Sequence, residues 1–138
     1  MRFDQGHGTQ VYYMRPDGTE FLWYPGNTVI VTSKWRLTPR GDGSPQHGVD
    51  ICFQYGTNTY NPVTKQQGGQ WECRPAHINA RRVVERAMGD VFGLSRRLPF
   101  VLSRERTSID ELQKTQKAAH PDEGSPSIAA DAECPKDG

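Results

Sequence analysis

The sequence predicts a mainly β fold with a C-terminal helix, α+β overall: an antiparallel meander of about five strands, open or curled into a small barrel. Three observations carry that prediction. Short β-branched and aromatic runs alternate with turn-forming residues, no helical crossover interrupts residues 1–75, and helical spacing of apolar residues begins only after Pro75.

Val11 to Met14 and Thr19 to Tyr24 flank Arg15-Pro16-Asp17-Gly18, where Pro suits an early turn position and Gly supplies positive φ, so these segments read as a hairpin. Pro25-Gly26-Asn27 marks the next turn. Thr28 to Leu37 follows as a β-branched strand with Trp35 and Leu37 on one alternating face. Pro39 to Gly48 is a polar loop. Beyond it, Val49 to Tyr55 alternates Ile51, Phe53 and Tyr55 against Asp50, Cys52 and Gln54, and Gln70 to Arg74 forms the last strand after a polar loop over Gly56 to Gly69.

After Pro75 the period changes. Ala80, Val84, Ala87, Met88, Val91 and Phe92 recur at helical spacing, which predicts one amphipathic helix from Ala76 to Gly93, with Gly93 as its C-cap. A second, shorter helix is expected from Ser108, where Ser108-Ile109-Asp110-Glu111 has the capping-box pattern, to about Ala118. From Ala119 the chain is too poor in apolar residues to offset the entropy of ordering, which predicts a disordered acidic tail. The expected organisation is therefore a β-domain over 1–75, a basic helix and extension over 76–106 packing on or beside the sheet, and a short helix with a disordered tail over 107–138.

A net charge of +1 conceals a division along the chain: residues 74–106 carry eight basic and three acidic groups, residues 107–138 three basic and seven acidic. Such a division makes either a cationic contact surface or two segments that solvate each other. No run approaches the roughly 18 apolar residues of a membrane span. Cys52 and Cys73 fall in neighbouring expected strands, so they read either as a disulfide or as two buried thiols of a cytosolic domain. The disulfide places the protein in the periplasm or outside the cell, with Met1 standing where a leader was removed; the thiols place it in the cytoplasm. Cys134 has no evident partner.

Gly18, Trp35, Ile51-Cys52-Phe53-Gln54-Tyr55 and Trp71-Glu72-Cys73 together resemble a pattern in small exported, disulfide-bonded β-proteins of proteobacteria, most of them without an assigned activity. The likeness spans about residues 10–75. It implies export and a Cys52–Cys73 bond, and it implies no catalytic residue.

The candidate binding residues are aromatics and arginines. Alternation puts Tyr12, Tyr13, Phe21, Trp23, Tyr24, Trp35, Phe53, Tyr55 and Trp71 on both faces of a sheet that one helix covers on one side only. Tyr13, Trp23, Trp35, Tyr55 and Trp71 are therefore candidates for a binding face, with Arg81, Arg82 and Arg86 beside them; the alternative is core plus scattered surface residues. No catalytic constellation, metal-ligand spacing or cofactor motif is legible: the four histidines lie in separate segments, and Arg40-Gly41-Asp42 is too short to signify adhesion.

Three functions remain. The first is an exported non-catalytic binding or structural module whose partner is an envelope or extracellular protein or a small ligand, and not nucleic acid. The second is an electrostatic binder of an acidic protein, lipid or nucleic acid through Arg74, Arg81, Arg82, Arg86, Arg96, Arg97, Arg104 and Arg106, recognisable by steep loss of binding in salt. The third is a small hydrolase-like enzyme using His47 and Asp50, which needs the two to meet.

Overall fold

A computed structural model describes residues 1–57, 60–61 and 66–121. The acidic tail beyond 121, with Cys134, lies outside the described residues. Eight strands run in chain order: β1 (Arg2–Asp4), β2 (Gly8–Met14), β3 (Thr19–Trp23), β4 (Val31–Pro39), β5 (Val49–Gln54), β6 (Tyr60–Asn61), β7 (Gln66–Gln67) and β8 (Trp71–Pro75). Two helices follow, α1 (Ala76–Arg81) and α2 (Ile109–Ala119). β6 and β7 pair only with each other; the other six form one antiparallel sheet in the order β1-β2-β3-β4-β5-β8, an open half-barrel. The meander expected from the turn signals is present, with β1 as a sixth strand that is too short to show alternation.

The first hairpin forms where its turn residues require. Gly18 adopts φ 92° and donates its N–H to the Arg15 carbonyl at 3.0 Å, while Asp17 accepts the Thr19 N–H at 3.0 Å. That turn sets the register Met14↔Glu20, Tyr12↔Leu22, and β4 continues it with Ser33↔Glu20. Cys52 lies opposite Cys73 across β5 and β8, and the two sulfurs are bonded. This bond closes a loop of 21 residues, so Cys52→Ala/Cys73→Ala should lower stability by about 3 kcal/mol in a urea titration. A loss under about 1 kcal/mol would mean that the β5–β8 ladder holds without it.

The long helix expected over 76–93 is six residues long. It stops at Arg81 because tertiary pairing takes over the backbone groups that the next turns would use. Val83 bridges Arg2 of β1, and the Val84 N–H donates to the Met1 carbonyl at 2.9 Å. β-branched Val83 and Val84 suit that extended pairing better than a helix, and Gly89 at φ 78° breaks the apolar period further on. α2 begins as its capping box predicts, with the Ser108 side chain accepting the Glu111 N–H at 3.1 Å.

Register sorts the sheet into two faces. Val11, Tyr13, Phe21 and Trp23 point outward, where residues 90–112 cross the sheet and supply Phe92, Leu94, Leu102 and Leu112 to the core. Gln10, Tyr12, Glu20, Ser33, Ile51, Phe53, Tyr55 and Arg74 share the other face. Arg2 and Arg74 stand on the two edge strands, about 24 Å apart if the sheet were flat. Instead each guanidinium lies close enough to act on the other and on Tyr55, so this face is the concave one. α1 packs against β5 and β8 beside it.

Candidate functional site

Two arrangements in this fold carry chemistry, one on each face. On the outer face, an open groove of about 320 Å³ runs between the β3–β4 connection and the segment after Asp90. Its apolar lining is Phe21, Val29, Ile30, Leu94 and Leu98; Thr28, Thr32, Ser95, Arg96 and Arg97 supply the polar positions. Phe21 is held from behind by Tyr13, stacked at 6.1 Å between ring centroids, and by the Arg15 guanidinium at 5.1 Å. The opposite wall is built by Asp90. Buried, it accepts the Leu94 N–H at 2.7 Å with one carboxylate oxygen and the Ser95 N–H and hydroxyl at 2.9 and 2.6 Å with the other. The Gly93 carbonyl then accepts both the Arg96 and Arg97 N–H groups. These bonds place two guanidinium-bearing residues in consecutive positions beside an apolar floor. Val29, 63 % exposed, forms the open rim.

The concave face is polar where a sheet interior is ordinarily apolar. Glu20 is 3 % exposed and accepts the Ser33 hydroxyl at 2.8 Å. Burial pushes its carboxyl up to about 7, against the opposing pull of the Ser33 hydrogen bond and of the positive charges of Arg2 and Arg74. Burial likewise raises the phenols of Tyr12 and Tyr55 and lowers Arg74. Arg2 donates from Nε to Gln10 at 2.7 Å.

The sequence-derived candidates are divided among these surroundings. Trp23 is fully buried, its indole N–H donating to the Phe100 carbonyl at 2.9 Å, and is core. Tyr13 backs the groove. Trp35 and Tyr55 belong to the concave side, Trp35 tied by its indole N–H to the Arg15 carbonyl at 2.8 Å. Trp71 lies on the outer face beside the disulfide, with the Arg36 guanidinium 4.0 Å from its ring centroid. Arg81, Arg82 and Arg86 are exposed at and after the end of α1. The five aromatics thus form no single face.

His47 does not meet Asp50. Its Nδ1 is 2.9 Å from Asp42 and 2.6 Å from the Ser44 hydroxyl on an exposed loop, while Asp50 lies 3.1 Å from Arg40. The Ser44 and His47 hydrogen bonds hold the Asp42 carboxyl below its ordinary range. Among the described residues, no three His, Cys, Asp or Glu side chains converge as a metal site requires.

Sequence reasoning missed Glu20, whose signal was available: a carboxylate in the apolar run Phe21-Leu22-Trp23, on the same alternating face as Leu22. It also missed Val29 and Ile30 as groove residues, because nothing local distinguishes an exposed strand-flanking valine from one facing a distant loop. No family model, curated protein or solved structure matches this chain.

Proposed function

We propose that the protein is an exported, non-catalytic binding module that holds a short acidic peptide segment of a partner protein in the outer groove. The observation that carries this reading is the pairing of an open apolar floor with consecutive Arg96 and Arg97 on a wall fixed by Asp90. Apolar lining with a few placed charges is the composition of a specific recognition site. An occupant with one or two apolar side chains and neighbouring carboxylates complements it. Export is supported by the Cys52–Cys73 bond and by the resemblance of residues 10–75 to small exported β-proteins.

Selection of random dodecamer peptides on the full chain tests the groove. Enriched peptides should combine Asp or Glu with Leu, Ile or Phe, and Val29→Glu and Arg96→Glu should each weaken binding at least about tenfold, roughly 1.4 kcal/mol. Binding unchanged by Val29→Glu would overturn the groove. Loss on replacing Arg81, Arg82 and Arg86 instead, with steep salt dependence, would favour the electrostatic surface after α1. For export, Cys52 and Cys73 in protein isolated from its native source should resist alkylation until reductant is added; free alkylation of both would place the protein in a reducing compartment.

A further inference from the structure

The concave face carries polar groups that the groove does not use. Among the described residues, the Ser33 hydroxyl is the sole hydrogen-bond partner of the Glu20 carboxyl, and the Tyr12 and Tyr55 hydroxyls and the Arg74 guanidinium make no hydrogen bond. Buried polar groups ordinarily find partners. The free Glu20 oxygen, the two phenols and Arg74 lie together in the recess on the concave side of the half-barrel. Ile51 and Phe53, both buried, supply apolar wall on the same face.

We propose that this recess binds a small monocarboxylate with a short apolar body, its carboxylate held by Arg74 and facing the Glu20 carboxyl. Arg74 offers a planar fork of donors matched to a carboxylate. Glu20 in its acid form offers a further O–H donor, and Tyr12 and Tyr55 offer two more. A dianion fits less well, since Arg2 already donates to Gln10 and the Glu72 carboxylate lies near Arg74.

The charged and titratable groups around Glu20 are Arg2 from β1, Tyr12 from β2, Tyr55 directly after β5 and Arg74 from β8, with Glu72 of β8 and Arg82 close to Arg74 and Arg86 close to Tyr12. The positive charges of Arg2 and Arg74 favour the carboxylate form and burial opposes it, so Glu20 changes charge near pH 7. An anion beside it binds the acid form. Affinity should consequently fall about tenfold from pH 6 to pH 8, with uptake of a proton on binding near pH 8.

The experiment is a backbone amide NMR titration of the full chain with acetate, butyrate, hexanoate and benzoate. Saturable shifts centred on Gln10, Tyr12, Glu20, Ser33, Tyr55 and Arg74 are expected. Arg74→Gln should abolish them, Arg74→Lys should weaken binding at least about tenfold while retaining the charge, and Arg81→Gln on the exposed end of α1 should change nothing. Glu20→Gln, an isosteric neutral amide, should remove the pH dependence. Absence of these shifts up to about 50 mM carboxylate, an equal response to inorganic phosphate, or shifts centred on Arg96 and Arg97 would each overturn the proposal.

Discussion

Glu20→Gln should stabilise the protein by about 3 kcal/mol at pH 8 and leave it nearly unchanged at pH 4.5. The carboxyl of Glu20 titrates at about 7 in the fold against 4.5 as its ordinary value, because burial opposes its charged form. Between those two pH values the unfolded chain has lost a proton that the native state keeps. Stability therefore falls as pH rises from 4.5 through 7, and the loss is complete above the folded value. Glutamine removes the ionisation while its side-chain oxygen can still accept the Ser33 hydroxyl. Urea unfolding of both proteins at pH 4.5, 6 and 8 measures the difference directly, and groups common to both cancel. Parallel profiles would mean that Glu20 is solvated in the native state and that the concave face is not a low-dielectric recess.

Trp23→Ala should destabilise the protein by about 3–5 kcal/mol at any pH. The indole has no exposed surface and joins two parts of the chain far apart in sequence. Its ring meets the edges of Phe92 and Phe100 at centroid distances of 5.4 and 5.0 Å, and its N–H satisfies the Phe100 carbonyl. Removing it opens a cavity between β3 and the crossing segment and leaves a carbonyl without its donor. Against a total stability of about 5–15 kcal/mol for a domain of this kind, that is a large share. Hydrogen exchange should show the effect first at Gly26, whose N–H donates to the Leu102 carbonyl, and at the Asp90-bonded amides of Leu94 and Ser95. Trp71→Ala, on the outer face beside the disulfide, should change stability by about 1 kcal/mol or less. Equal effects of the two substitutions would show that the segment after Asp90 is not anchored through Trp23.

Strands β2, β3, β4, β5 and β8, the first hairpin and the start of α2 were legible because their causes are local, whereas β1 and the short β6–β7 pair inside the expected polar loop were not. Arg15-Pro16-Asp17-Gly18 sets its own turn, period-2 alternation sets β4 and β5, and Ser108 with Glu111 caps a helix wherever it lies. Strand order put Cys52 and Cys73 on neighbouring strands, and the structure decided between the two readings by bonding them.

What lay beyond reach depended on contacts between residues far apart in the chain. Helical periodicity over 76–93 was genuine, yet the helix ends at Arg81, since the edge of β1 takes Val83 and Met1 takes the next amides. Curvature of the sheet brings Arg2 and Arg74 from opposite edges to Glu20, and the crossing of residues 90–112 sets Arg96 and Arg97 beside Val29. Alternation tells which residues share a face; it does not tell how far the sheet curls or what crosses it. By itself the sequence determined the meander and its first hairpin, and it left Cys52 and Cys73 open between a disulfide and two buried thiols. Only the tertiary structure decided which face is concave, where a carboxyl is stripped of water and where an apolar floor meets two arginines, because burial and electrostatic environment are properties of the whole packed chain.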